Sequence, residues 1–506
     1  ESASAEGMLS GISSGAGQWR SIYYTFSAHY SYKSKYMADF SLRRDGTTKF
    51  GPSKRWGYFP AFSLRWNISD EPWMRSLEWL SMLSLRPGWG VVGNQPGAEY
   101  LYVSRYTTAD TYIDMPAIIP SNIRLANLQW ETKTTWNLGL DFGFWNNKLT
   151  GDVNIYDQYT SDLLMSSVAI PTSSGYAALS WQNVGSMRNN GWELNFQGNQ
   201  LVELGKLKLG FNLSFANNKN IITEMDERVL ESLNSDFSRS NGTYLTRIQV
   251  KNAFGSIYGF RYKGVYQYSE YSEVEIPGIS GPNAPVVRND EGRVIMEDGE
   301  PKPMYFSYGT TAAYEFQGGD AIYEDINHDG NINELDIVYL GSSLPLLNGG
   351  FGFRLNYGRL SVNTQFNFRY GNKIVNRARM NAEKMYDNTN QSASVNWRWR
   401  MDGDITTIPR ALYQSGYNWL GSDRFVEDGS FLRCNYVQLS YQIPAQQLKP
   451  LGINQLSFYV SMNNLFILTR YSGVDPELGY GGYSITFDDS QTPRAKSFTA
   501  GITLSF

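Results

Sequence analysis

Cysteine and histidine are nearly missing from this sequence: Cys434 stands alone, and His29 and His328 are the two imidazoles in 506 residues. A single thiol rules out an intrachain disulfide and leaves the redox compartment unread. Two histidines so far apart argue against a histidine zinc centre or a Ser-His triad. Charge is scarce too, at 18%, against about a quarter in typical soluble domains. The formal net charge of −4 includes no basic excess that would suit nucleic acid, and there is no acidic tail. Mean hydropathy is −0.41, and no apolar run approaches the roughly 18 residues of a helical membrane span. No charged-then-apolar leader opens the chain, since Glu1 to Gly17 is small and polar. Any export signal therefore lies outside this sequence. No period of about 20–50 residues repeats, which argues against solenoids and propellers.

What is abundant is aromatic and glycine: 15% Phe, Trp and Tyr, led by 35 Tyr, with 48 Gly. These residues fall in a two-residue rhythm. In the closing stretch, Phe498, Ala500, Ile502, Leu504 and Phe506 alternate with Ser497, Thr499, Gly501, Thr503 and Ser505. Successive side chains of a strand point to opposite faces, so this is one strand, oily on one side and hydroxylic on the other. The pattern recurs at Ile22–Tyr32, Tyr36–Leu42, Trp136–Phe144, Leu149–Ile155, Leu207–Phe215, Phe351–Tyr357, Leu360–Arg369, Val437–Ile443 and Leu456–Met462. Arg43-Arg44-Asp45-Gly46 reads as a strand end and turn.

Alternation alone also fits a soluble sandwich. Three features favour a transmembrane outer-membrane β-barrel, an all-β fold. The polar face is Ser, Thr, Asn, Gln and Gly rather than Lys and Glu, as in a crowded lumen. The strands run to about ten residues, against about five or six in ordinary sheets. Connections alternate between short (33–35, 145–148, 198–206, 358–359, 444–454) and long (93–129, 159–183, 218–348, 371–430, 465–494), the rule of periplasmic turns and external loops. Counting back from Phe506 gives about 13 strands, with Tyr100–Tyr106 and Ser256–Tyr262 ambiguous; bacterial barrels close on an even number. Residues 1–506 thus read as the C-terminal portion of a larger barrel, with Glu1 in an external loop and 219–348 as a long extracellular loop region.

One segment has the spacing of a cation site. In Asp325-Ile-Asn-His-Asp-Gly-Asn-Ile-Asn-Glu-Leu-Asp336, oxygen side chains fall at Asp325, Asn327, Asp329, Asn333 and Asp336. Gly330 takes the sharp turn, and Asn331 would offer its backbone carbonyl. This is the calcium-loop pattern, in which carboxylate and amide oxygens converge on a hard cation. Asp336 stands where Glu is usual, and no helical pattern flanks the loop, so the expectation is an external Ca²⁺ loop and not a helix–loop–helix sensor. The alternative is a solvated Asp/Asn/Gly turn. Trp397 and Trp399, flanked by Arg398 and Arg400, suit sugar stacking or, alternatively, belt or loop packing. His29 sits on a polar strand face, where a lumen hydrogen bond is expected. No nucleophile–base pair marks an enzyme.

Family motifs run from about residue 20 to the end. They include Ser41-Leu-Arg-Arg-Asp-Gly-Thr-Thr-Lys-Phe-Gly51, Arg55-Trp-Gly-Tyr-Phe-Pro60, Trp66-Asn-Ile-Ser-Asp-Glu71 and Gly90-Val-Val-Gly-Asn-Gln95. Trp130-Glu-Thr-Lys-Thr-Thr-Trp-Asn-Leu-Gly-Leu-Asp141, Asn183-Val-Gly-Ser-Met-Arg-Asn-Asn-Gly-Trp-Glu193 and Asn463–Glu477 follow in order. Together they resemble the SusC/RagA-like TonB-dependent transporters of Bacteroidetes outer membranes. The resemblance implies a barrel of about 22 strands around an N-terminal plug. It also implies import of oligosaccharides or oligopeptides driven through TonB, and a SusD-like surface lipoprotein as partner and lid. The plug, the TonB box and the first barrel strands are missing from this sequence. Asp141, Lys208, Asn363, Gln365 and Arg369 would line the path, with no substrate ligand assigned among them. The rival readings are a passive porin or structural barrel and, last, an outer-membrane enzyme.

Overall fold

The computed structural model describes residues 17–112, 115–170, 174, 176, 178–227, 230, 249–269, 284–307, 312–479 and 485–505. Glu1 and Phe506 lie outside them. Thirteen strands form one antiparallel sheet in which each pairs with the next in sequence. They are β1 (Ser21–Tyr32), β2 (Tyr36–Thr47), β3 (Trp56–Asn67), β4 (Leu80–Asn94), β5 (Glu131–Phe144), β6 (Leu149–Ser161) and β7 (Gly185–Leu204). β8 (Leu207–Met225), β9 (Leu347–Tyr357), β10 (Leu360–Tyr370), β11 (Phe431–Gln442), β12 (Gln455–Thr469) and β13 (Ser497–Ser505) complete it. Among the described residues, β1 pairs only with β2, and β13 only with β12, so both outer edges of the sheet are open.

The predicted alternation is realised. Phe26, Trp136 and Ile502 are 61%, 62% and 65% exposed on the same outward face. Large apolar side chains left bare over a whole sheet have no reason to stay there in water, and every reason to in lipid. No helix is long and apolar enough to cross a membrane. Aromatic rings mark the level of the short turns: Tyr32, Tyr36 and Trp66 stack in succession, with centroids 6.5 and 6.4 Å apart. Glu71, in the β3–β4 connection, fastens this belt by accepting hydrogen bonds from Tyr36 Oη (2.5 Å), Trp66 Nε1 (3.2 Å) and Lys35 Nζ (3.2 Å).

Several boundaries differ from the sequence reading. β2 continues through Arg43-Arg44-Asp45-Gly46 to Thr47, because β1 and β3 both pair with it there. The turn placed at 198–206 shrinks to Gly205-Lys206: β7 carries a bulge between Gly198 and Val202 and then resumes pairing with β8. Gly205 holds φ +62° and Gly358, in the β9–β10 turn, +63°, the left-handed backbone that glycine adopts without penalty. β8 runs to Met225, so the long connection spans the gap from there to Leu347 and not from 219. The two ambiguous segments both lie outside the barrel sheet. Tyr106–Tyr112 pairs with Met115–Pro120, and Ser256–Gly259 with Val338–Ser342.

The long connections pack into a second core on the side of the long loops. Phe260, Tyr266, Phe306, Ile322, Tyr323, Trp419 and Leu420 are buried together, joining the β8–β9 and β10–β11 connections. Arg410 clamps the fully buried Asp320 at 2.7 Å, and Asn418 donates to the same carboxylate. Beside it, α1 (Arg377–Glu383) seats Met380 against Val375, Phe425 and Ile257.

Candidate functional site: the inner wall and the 325–336 loop

The face opposite the lipid is polar and already partly cross-linked. On β3 to β6, Arg86 donates to Asp141 through Nε (2.8 Å) and Nη2 (2.6 Å), and Arg65 Nη2 stands 3.5 Å from the same carboxylate. Asp152 takes hydrogen bonds from Asn154 (2.7 Å) and Asn195 (3.1 Å). His29 Nδ1 meets Asp39 Oδ1 at 2.6 Å, the lumen hydrogen bond expected of it.

Toward the short-turn ends of β7 to β11 the wall is rich in amides. Asn212 donates to Gln365 Oε1 (3.4 Å) across Gly352, where a Cβ would sit 2.6 Å from Asn212 and 2.7 Å from Gln365. A cavity of about 660 Å³ opens here, lined among others by Asn212, Arg354, Asn363, Gln365 and Gln438. At its loop end the connection after β12 folds inward. Arg433 is buried and holds Asp475 (2.5 Å) and Glu477 (2.9 Å), while Arg369 donates to the Leu478 carbonyl (2.8 Å).

The five path residues named from sequence are therefore not one cluster. Asn363 and Gln365 share the amide wall. Lys208 is tied to Gln200 at 3.1 Å, Asp141 is consumed by Arg86, and Arg369 anchors the inward strap. Sequence reading missed Arg65, Arg86, Arg433, Asp475 and Glu477. The tryptophan pair splits: Trp399 is buried against Gly319 in loop packing, and Trp397 is exposed.

The 325–336 loop closes on itself through backbone amides. Asp325 Oδ2 accepts from Gly330 N (2.8 Å), Asn327 Oδ1 from Asp329 N (3.2 Å), and Asp329 Oδ1 from Asn331 N (2.7 Å). Asn331 Oδ1 accepts from Ser307 N (2.8 Å) and Asn333 Oδ1 from Leu335 N (2.7 Å). Asp336, fully buried, accepts from Ile326 N (2.8 Å) and Asn333 N (2.9 Å). Asp325 Oδ1 is shut off from solvent and accepts nothing. Burial pushes the Asp336 carboxyl up to about 6 against those two backbone donors, with the charges of Asp325 and Asp329 adding to the rise. Burial raises Asp325 as well. Among the described residues, no three His, Cys, Asp or Glu side chains gather as a metal set on their own.

A lipid-facing strand meander around a polar inner wall defines an outer-membrane β-barrel. The model of the TonB dependent receptor-like β-barrel matches residues 17–322. TonB-dependent receptor P39 of Formosa agariphila is 30% identical over 501 residues, covering 94% of this chain and 45% of that protein. TonB-dependent receptor SusC of Bacteroides thetaiotaomicron is 30% identical over 494 residues, covering 94% and 43%. Among solved structures, the RagAB peptide transporter superposes with a TM-score of 0.72 at 24% identity, covering 96% of this chain and 48% of the other. The chain belongs to the TonB-dependent receptor family, is similar to SusC in sequence and to the RagAB transporter in fold, and lies in the outer membrane. It spans less than half the length of the curated relatives it matches.

Proposed function

We propose that this chain is the barrel wall of an importer that carries oligosaccharides or oligopeptides across the outer membrane under TonB drive. A SusD-like lipoprotein would act as its surface lid, and an N-terminal plug would fill its lumen. The observation that carries this is the inner wall itself: a lipid-exposed outer face backed by a polar, amide-rich lumen on a chain of this family. Substrate taken under the lid would descend past the inward strap at Asp475 and Glu477, and traction on the plug would open the way along the Asn212–Gln365 wall. The test is uptake of labelled oligomers by cells carrying the complete gene, with and without a working TonB. Uptake that stops when TonB is inactivated supports the reading. Uptake that continues unchanged favours a passive porin.

We infer in addition that the 325–336 loop holds Ca²⁺. The spacing supports it, as does the buried, unpartnered Asp325 Oδ1 beside two further carboxylates. Burial raises the Asp325 and Asp336 carboxyls and the charge of Asp329 adds to both rises, which a hard cation would relieve. The amides of Asn327 and Asn333 and a backbone carbonyl at Asn331 would complete the oxygen set.

A further inference from the structure

We propose that Arg44 binds the phosphate of an anionic lipid headgroup, on the outward surface of β1–β3 at the loop-side edge of the membrane. Arg44 shares its face of β2 with Phe40 and Leu42, both exposed. In register it lies opposite Tyr24 on β1 and Tyr58 on β3, which are 57% and 58% exposed. Its neighbour on the other parity, Phe59, is buried against Trp130 and Phe50, which fixes the outward direction independently.

The guanidinium is held by rings and not by a counter-charge. Its carbon stands 4.2 Å from the Trp56 ring and 5.3 Å from that of Tyr58. Trp56 in turn stacks on Tyr24 at 6.1 Å. The indole lies across β2 because Gly46 has no side chain: a Cβ there would be 2.6 Å from the ring. Stacking on aromatic faces orients an arginine while leaving its planar fork able to take two oxygens of one phosphate. Among the described residues no carboxylate pairs with Arg44, and its Nε is buried with no hydrogen-bond partner. Arg188, also outward-facing, is different: it is satisfied by Asp157 at 2.8 and 2.6 Å.

Height decides what can supply the missing anion. Arg44 lies eight residues beyond Tyr36 of the turn-side aromatic belt, about 27 Å along the strand. At a tilt of about 40° that is about 21 Å along the membrane normal, close to the about 25 Å height of the apolar band. An unpaired cation deeper in hydrocarbon would be costly. At this level the nearest anions are the headgroup phosphates, which attract surface Arg and Lys.

The test uses the complete transporter in nanodiscs of phosphatidylcholine alone or mixed with phosphatidylglycerol, with retained lipid counted by native mass spectrometry. Wild type should retain phosphatidylglycerol in preference to phosphatidylcholine. Arg44→Gln should lower that preference about fivefold, Arg44→Lys by less, and Arg188→Gln should leave it unchanged. Inorganic phosphate in the buffer should not displace the bound lipid. Folding of each variant is read from the usual heat-dependent shift of barrels on gels, and the wild-type preference and Arg44→Lys remain informative if Arg44→Gln does not fold. Equal retention of the two lipids by wild type, unchanged preference in Arg44→Gln, or displacement by free phosphate would overturn the assignment.

Discussion

Arg86 on β4 grips Asp141 on β5 through two nearly parallel hydrogen bonds, and Gly139 lies beneath the guanidinium with no room for a methyl group. A Cβ on Gly139 would stand 3.0 Å from the guanidinium carbon. The pair staples two strands on the inner wall while Arg65 adds a second cation from β3. Asp141→Asn removes the charge and leaves two arginines facing each other, a change expected to cost about 1–3 kcal/mol. Urea unfolding of the detergent-solubilised complete barrel, followed by tryptophan emission, would show the midpoint falling. An unchanged midpoint would mean that the staple carries no load.

Burial of Asp336 makes the core built from the long connections pH-sensitive with a definite sign. An unfolded Asp titrates near 3.9, and folded Asp336 is pushed up to about 6. Between those values the folded state holds the extra proton, so without calcium stability should fall as pH rises from about 4 to about 6, by on the order of 2 kcal/mol. Asp336→Asn should flatten that dependence. Chemical denaturation at a series of pH values in EGTA would decide it, and a slope of the opposite sign would refute it.

Calcium should reverse that trend, because the cation prefers all three carboxylates ionised. Adding Ca²⁺ at neutral pH should raise the melting temperature of the core built from the long connections, and Asp325→Ala should abolish the rise. Melting that ignores Ca²⁺ in the wild type would remove the metal from the loop.

The strap after β12 is held by the buried Arg433 at Asp475 and Glu477 and by Arg369 at the Leu478 carbonyl. Arg433→Met leaves Asp475 and Glu477 enclosed with, among the described residues, the half-exposed Arg494 as their remaining cation. Breaking a buried pair in this way costs about 3–5 kcal/mol, enough to release the segment. Hydrogen exchange over residues 471–479 should rise in the variant, with exchange in β11 and β12 unchanged away from the substitution.

How far the sequence alone reaches is clear from particular strands. β1, β5, β10 and β13 alternate cleanly because lipid and lumen make opposite demands on neighbouring residues. β3 is blurred by Phe59, which is apolar yet turned inward to meet Phe50 and Trp130. β4 is blurred by Pro87 within the strand and by a bulge between Leu80 and Met82. Pairing on both sides decided where β2 and β7 end, and residues within either strand carry no mark of it. The Asp325–Asp336 loop was legible because its Asp and Asn side chains lie close together in sequence and fold onto backbone amides of the same segment. The Arg433–Asp475 pair was not, since 42 residues separate its members. Asp141 was legible as a wall residue, but its partner Arg86 lies 55 positions away.

The bare edges of β1 and β13 limit how this polypeptide can be handled. Inside a bilayer a backbone amide without a partner has no water to turn to. Made by itself, the 506-residue chain would carry two long rows of such groups, one at each end of the sheet. Those rows should zip onto copies of themselves, or onto whatever strands are supplied alongside. A polypeptide carrying the neighbouring strands, co-refolded with this one, should suppress that stickiness and yield a closed wall from two pieces.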